Sequence, residues 1–391
     1  MDSFADYNLE SKEEFWEELD ALVARQVLSM SLVEHAIKSF LRFVAMYMDD
    51  YLSSDEDLIH CCGKFLSSSV FLKHKAEVRH RLITTLVRKS PIATPFLLLI
   101  GLLLLLDGRT DVSTFVMMED NEACGTIIDV LWHRREDDRR LRVCYLELLY
   151  EMCRVQRLQF SDLVAVPSDF IEYLFRCVED NEDYENDPYN YAFIRILLVL
   201  NEQYMLLRNQ SSSIAPSSTT PSPESEEAPS IAVAEPPSPP PVLENEVLAV
   251  LVRKGNVYKT FGTNIIILLN RERESCLQLL ILKMLYNLFT TAETVDYFYL
   301  NDLRVLTDVF IRELNDLPDE ADALRHTYLR VLYPLLSHTP LSQVHYKREE
   351  LVRLLRVLVC YQPVSETTAR LVARCTSVQW LSFTPSDKED E

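Results

Sequence analysis

Glycine is nearly missing from this chain, with six in 391 residues. Enzymes built on α/β sheets use glycine for positive-φ turns and phosphate-cradling loops. Its scarcity argues against that class and predicts short helix–helix connections. A basic excess is also missing, since the net charge is −21. An acidic chain repels phosphate backbones, which argues against nucleic acid as a partner. No Cys-x-x-Cys pair occurs among nine cysteines, an odd number scattered through apolar stretches. Such residues behave as small hydrophobes in a reducing compartment. The greasiest run, Phe96–Leu106, has eleven residues, whereas a membrane span needs ~20. It reads as a buried core helix, with no membrane insertion expected. The opening Met1-Asp2-Ser3-Phe4-Ala5-Asp6 lacks the basic and apolar parts of a signal peptide, so the expected location is cytoplasmic.

The marks of chemistry are missing as well. No phosphate loop, dinucleotide fingerprint, nucleophile elbow or zinc motif occurs. The eight histidines never pair at i,i+4. His60-Cys61-Cys62 is the nearest thing to a metal cluster, but adjacent residues on a helix point ~100° apart and do not converge on an ion. The expectation is a protein with no catalytic residues, no cofactor and no metal, and not an enzyme.

What is present is helical periodicity. Ser11 with Glu14 forms a capping box ahead of a Phe15, Leu19, Leu22 stripe. Further helices are predicted near 30–49, 55–72, 75–90, 93–106, 121–135, 139–156, 168–178 and 189–207. After the break they resume near 243–254, 257–270, 274–290, 301–314, 321–337, 346–360 and 364–380. Asn301 and Asp302 read as the N-cap of one of these. The acidic stretch Glu179–Asp187 lacks the central glycine of a calcium loop and reads as a solvated turn.

The composition changes between 209 and 241, where nine of the 18 prolines lie among Ser, Thr and Glu. Such a segment cannot pack a core and reads as a disordered insert. Within it Pro236, Pro237, Pro239 and Pro240 offer P-x-x-P spacing for an SH3-domain protein. The predicted organisation is an acidic N-terminal helical region (1–208), the insert (209–241), a C-terminal helical leucine-rich domain (242–384) and a polar tail (385–391). Charge follows this division. Residues 1–245 hold 22 bases and 41 acids, a net of −19, and residues 246–391 hold 17 and 19, a net of −2.

A weak repeat runs through the helices. Arg142-x-x-Tyr145-Leu146-x-x-Leu149-Tyr150 recurs as Arg325-x-x-Tyr328-Leu329-x-x-Leu332-Tyr333, and Ile281-Leu282-x-x-Leu285-Tyr286 keeps its apolar part. The last two copies are 47 residues apart, within the ~40–47-residue length of HEAT and armadillo units. Chance similarity among leucine-rich helices is the competing reading. The predicted fold class is all-α, an armadillo/HEAT-like solenoid with one Pro/Ser-rich insert. Basic and amide side chains stud the second half: Lys259, Asn264, Asn270, Arg271, Lys283, Asn301, Arg304, Arg312, Arg325 and Arg330. They are either solvated faces and local pairs, such as Arg312 with Asp308, or a contact patch on an acidic body.

The run Tyr258-Lys259-Thr260-Phe261-Gly262-Thr263-Asn264-Ile265-Ile266-Ile267-Leu268-Leu269-Asn270-Arg271-Glu272 resembles the signature of the WISH/DIP/SPIN family leucine-rich domain. Agreement continues through Leu279–Tyr286, Leu288–Thr291, Tyr297–Leu306 and Arg325–Leu336, covering roughly Lys254–Leu341. The polar residues in fixed places (Asn264, Asn270, Arg271, Asn301, Asp302, His326) carry most of its specificity. The resemblance implies an armadillo-like domain and an activator of the actin-related protein 2/3 complex that needs no preformed filament and yields linear, unbranched filaments. It further implies work at endocytic actin patches in the cortical cytoskeleton. No SH3 module is seen at the N-terminus, so the chain resembles the shorter fungal form. Trp380 followed by Asp387–Glu391 lacks a preceding actin-binding helix, which points to allosteric activation. The alternative function is a passive helical adaptor that recruits SH3-containing partners through the insert.

Overall fold

The first helix begins where its cap is written. Ser11 Oγ accepts from Glu14 N at 3.2 Å, and Glu14 Oε2 accepts from Glu10 N at 2.8 Å. The computed structural model describes residues 9–24, 30–88, 91–134, 137–180, 188–213, 243–360 and 365–381. Among these residues there are twenty α-helices, one short 3₁₀ turn and no strand. They fall into two compact units. The first comprises Met1–Cys177 and Asn181–Val199, the second Val178–Asp180 and Leu200–Glu391. The division falls inside a helix, ahead of the Pro/Ser-rich insert where composition had placed it. The insert's Pro236, Pro237, Pro239 and Pro240, most of the 179–187 acidic stretch and the tail from 385 lie outside the described residues.

In the first unit the helices are α1 (Lys12–Val23), α2 (Met30–Tyr51), α3 (Asp55–Leu66), α4 (Ser69–Lys73), α5 (Lys75–Val87), α6 (Thr94–Thr110) and α7 (Ser113–Asp120). They continue as α8 (Ala123–His133), α9 (Arg139–Val155), α10 (Phe160–Ala165), α11 (Ser168–Glu179) and the start of α12 (Pro188–Ser213). Two layers result. In one, α2, α5 and α8 pack in series; in the other, α3, α6 and α9 do so. Edge-on contacts of Trp132 with Phe170 and Tyr173 add α11 to the first layer. Arg195, which donates to Glu147 at 2.8 Å and lies over the Tyr150 ring, adds α12 to the second. Helix α1 closes the open end, with Phe15 stacked on Phe43.

Helix α6 shows why Phe96–Leu106 is so apolar. Packed between α3 and α9, it buries Leu97, Leu98, Leu99, Ile100, Leu103, Leu104 and Leu105. A helix covered on opposite sides needs no polar stripe. No helix among the described residues is long and apolar enough to cross a membrane. Gly101 permits close approach of α9, since a Cβ there would stand 2.6 Å from Tyr145 Cε2. Beside it the Tyr145 hydroxyl donates to Leu97 O at 3.0 Å. Arg79 on α5 crosses to Asp107 on α6 at 2.6 Å and to Asp111 at 2.7 Å. Both members of the Arg79–Asp107 pair are buried. Cys61 and Cys62 are core residues and His60 packs on Trp16.

The second unit contains the rest of α12, then α13 (Glu246–Lys254), α14 (Lys259–Arg271), α15 (Ser275–Thr290), α16 (Leu300–Asp316) and α17 (Asp322–His338). It ends with α18 (Leu341–Val344), α19 (Arg348–Cys360) and α20 (Glu366–Thr376). The same two-layer stacking recurs. Here α14, α16 and α19 form one layer, and α15, α17 and α20 form the other. The three copies of the Leu-Tyr repeat lie on α9, α15 and α17, all in the layers that follow the first helix of each pair. Tyr145, Leu146, Leu149 and Tyr150 are buried, as are Tyr328, Leu329 and Leu332, while Tyr286 and Tyr333 keep part of their surface.

Several helix boundaries differ from expectation. The 55–72 helix breaks at Ser67–Ser68, where Ser68 Oγ caps α4 by accepting from Phe71 N. The short connectors α7, α10 and α18 were not predicted; each is too brief to show a period. Helix α16 starts at Leu300, so Asn301 and Asp302 sit in its first turn and the Asp302 carboxylate accepts from Tyr299 N. Helix α20 stops at Thr376 because Ser377 closes it, and Gln379–Leu381 is a separate 3₁₀ turn.

Candidate partner-docking face

The sequence-predicted residues do not converge on one patch. Asn264 is buried in α14, and neither atom of its amide has a hydrogen-bond partner. Asn270 and Arg312 hold each other at one edge. Arg312 donates to the Asn270 side chain at 2.6 Å and its carbonyl at 3.2 Å, and also pairs with Glu313. The expected Arg312–Asp308 pair does not form. Asp308 instead accepts from Tyr346 and pairs with Lys347, both from the α18–α19 connection. Arg271 is exposed at the end of α14.

At the opposite edge lie Lys259, Asn301 and Arg304. Lys259 Nζ donates to Tyr297 O and lies 4.7 Å and 5.2 Å from the Tyr297 and Tyr299 ring centres. Burial there pulls its ammonium below the usual lysine range. The hydroxyl of Tyr297 donates to Tyr258 O and accepts from Gly262 N at 3.1 Å. A Cβ at Gly262 would stand 2.8 Å from Tyr297 Cε1, so glycine is required. Arg304 reaches Asn301 and lies over the Tyr346 ring. Arg325 is buried and donates to the carbonyls of Leu317, Pro318 and Asp319 and to Asp322. Its guanidinium is a clamp on the α16–α17 connection, so its place is structural and not on an exposed patch.

Lys283 and Arg330 stand on the outer face of the α15–α17–α20 layer, and here a built surface appears. They occupy equivalent positions of the repeat, as do Tyr286 and Tyr333. Arg374 of α20 lies over the Tyr333 ring at 4.3 Å, and His338 meets the same ring edge-on. Two rows therefore run across the helices: Lys283, Arg330 and Arg370, then Tyr286, Tyr333 and Arg374. Lys283 pairs with Glu202 of α12. Arg330 and Arg370 are exposed and have no ion-pair partner among the described residues. The only acids on these three helices are Asp322 and Glu366, both in first turns, against five bases. The α14–α16–α19 layer carries seven bases and six acids. Pro334, buried inside α17, cannot donate to the Arg330 carbonyl four residues back.

Sequence reasoning found Lys283 and Arg330 but missed Arg370, Arg374, Tyr333 and His338 as surface groups. The signal for Arg370 and Arg374 was their i,i+4 spacing on a helix whose only acid, Glu366, opens it. Tyr333 is not marked as a surface group by the sequence, because its repeat partner Tyr150 is buried.

These features define a stacked-helix, leucine-rich scaffold with one basic, aromatic face. Comparison with known proteins gives its kin. The family model described as the SPIN90/Ldb17 leucine-rich domain matches residues 186–351, which takes in α12 as well as the run that carried the resemblance. Protein dip1 of Schizosaccharomyces pombe is 30% identical over 96% of this chain and 95% of its own length. Protein LDB17 of Eremothecium gossypii is 26% identical over 88% of this chain and 74% of its own length, and LDB17 of Saccharomyces cerevisiae 24% over 96% and 82%. The chain belongs to the SPIN90/Ldb17 family. Two engineered proteins of known crystal structure align over 77% and 78% of the chain at 10% and 11% identity, with TM-scores of 0.37 and 0.36, too distant to argue from.

Proposed function

We propose that this chain binds the actin-related protein 2/3 complex and stimulates nucleation of linear, unbranched actin filaments without a preformed filament, at cortical actin patches in the cytoplasm. It does so without catalysis. Membership in a family involved in actin-patch regulation supports the reading. The single structural observation behind it is the basic–aromatic face of α15, α17 and α20 on an otherwise acidic chain. Exposed arginines on rigid, backed helices pair with carboxylates at low entropic cost, and tyrosine beside arginine is the composition of an interface centre.

The mechanism follows from rigidity. A partner that exists in two conformations is shifted only by differential affinity, and moving it from 1:99 to 99:1 takes about 5.5 kcal/mol. Stacked helices present a fixed pattern of charge, so they fit one arrangement of a multi-subunit partner and not the other. Holding that arrangement is the activity.

The test is binding of purified actin-related protein 2/3 complex to the wild-type chain and to Arg330→Glu/Arg370→Glu. The double variant should bind at least tenfold more weakly with unchanged helicity and melting. Equal affinity would remove this face from the mechanism.

A further inference from the structure

The exposed apolar side chains of this protein are not scattered. Among the described residues fifteen large hydrophobics are exposed, and nine lie where the chain turns from the second helix of one pair to the first of the next. Leu72, Val112, Val116, Phe160 and Val164 do so in the first unit, and Val252, Val257, Tyr299 and Val344 in the second. These corner elements bury their own anchors, and their exposed side chains are the ones the core does not use.

The strongest concentration is on α7 and α10. Val112 and Val116 are 55% and 46% exposed, and Phe160 and Val164 are 41% and 53% exposed. The 156–159 connection ties the two helices. Gln156 Nε2 donates to Phe115 O at 3.1 Å and Gln159 Nε2 to Glu119 Oε1 at 3.1 Å. Val116 lies between those two ties, and Phe160 directly follows the second. Both helices are fixed from below, α7 by buried Phe115 and Met118 and α10 by buried Leu163. The strip is thus anchored and preformed, and among the described residues nothing covers it.

Its surroundings select the partner. Glu119 and Asp120 end α7, Glu122 follows at positive φ, and Asp162 lies in the first turn of α10. Asp111, held by Arg79 and Ser113, opens the strip. Among the described residues Arg109, Arg154 and Arg157 are the exposed bases nearby, and the first two are already paired, Arg109 with Glu147 and Glu151 and Arg154 with Glu151. An acid rim repels anionic lipid and nucleic acid and attracts a cationic segment. Residues 1–245, with their net of −19, extend the same field.

We infer that α7 and α10 form a second docking strip, for a basic amphipathic helix of a partner protein. Its apolar side chains cover the three valines and Phe160, and its lysines or arginines meet Glu119, Asp120, Glu122 and Asp162. The strip belongs to the first unit and does not depend on the actin-related reading of the second.

The probe is a synthetic amphipathic helix of leucine and lysine, labelled and titrated by fluorescence anisotropy against the full chain. Binding should weaken at least tenfold in Val116→Asp/Phe160→Asp and remain in Arg330→Glu/Arg370→Glu. It should also be lost when the peptide's lysines are replaced by glutamate. Val116→Ser/Phe160→Ser, checked by circular dichroism, guards against misfolding and should also weaken binding. Equal binding to wild type and to both 116/160 variants would overturn the inference. Concentration-dependent self-association that those variants abolish would do so too, because the occupant would then be a second copy.

Discussion

Asn201 should govern how α12, α13 and α15 hold together. Its side chain is fully buried, and its single Oδ1 accepts from Asn245 Nδ2 at 2.8 Å and from Asn287 Nδ2 at 2.7 Å. Asn245 in turn caps α13 by accepting from Leu248 N at 3.2 Å. The helices on either side of the 214–242 segment, α12 and α13, are thus tied to each other and to α15 through one carbonyl oxygen. Asn201→Leu keeps the volume but leaves two amide donors without an acceptor. An unsatisfied buried donor costs about 1–3 kcal/mol. Both asparagines are only half-buried and recover some hydrogen bonding from water, so about 2 kcal/mol in total is expected. That corresponds to a melting shift of roughly 4–8 °C for a unit of this size. Hydrogen exchange should show faster opening confined to α12, α13 and α15. Adding Asn287→Leu tests the mechanism, because removing both partners should cost less than the sum of the single changes. A loss below ~0.5 kcal/mol, or strict additivity, would refute the idea that one amide closes the junction.

Other expectations follow from packing and titration. Gly101→Ala forces a methyl against the Tyr145 ring and should cost ~1–3 kcal/mol in a denaturant titration; a neutral result would mean that α6 and α9 can part freely. Burial pulls the His326 imidazole below its ordinary value, and its Nε2 lies within hydrogen-bond distance of the Thr368 and Ser365 hydroxyls, at 2.9 Å and 3.2 Å. The unfolded chain therefore takes the proton first. Stability supplied by this site is present above the unfolded histidine pKa and is lost as pH falls from about 6.5 toward the folded value. His326→Gln should flatten that part of the stability–pH curve. Cys360 is exposed, whereas Cys61 and Cys375 are buried with thiols pushed up to about 12, so a thiol reagent should modify Cys360 in the folded protein and reach those two only on unfolding. Replacing 214–242 by a short Gly/Ser linker should leave nucleation intact if the scaffold itself acts, and abolish partner recruitment if the chain is an SH3 adaptor.

The helices were legible because their signals are local. Ser11 and Glu14 name a helix start, and a stripe such as Leu303, Leu306, Phe310 and Leu314 names a buried side. The stacking was legible through the Leu-Tyr repeat, since a helix buried between neighbours must be apolar on a broad face. The face that matters was only half visible. Lys283 and Arg330 stood out, but so did Arg325, which is buried, and Asn270 with Arg312, which hold each other. Sequence shows which residues are charged and leaves out which carbonyls lie within reach. Arg325 meets three of them because the α16–α17 connection folds back over it. Arg370 and Arg374 gain meaning only once α20 is laid beside α17, which brings Arg374 over Tyr333. The corner helices escaped notice because four to eight residues carry no period, and their exposed valines become conspicuous only against a finished core.

Pyrene-actin polymerisation with purified actin-related protein 2/3 complex, no seed filaments and no other activator tests the central claim most directly. The account predicts a shortened lag that grows with added protein, unbranched filaments by single-filament microscopy, and loss of both in Arg330→Glu/Arg370→Glu. Polymerisation at the background rate across the titration would contradict it.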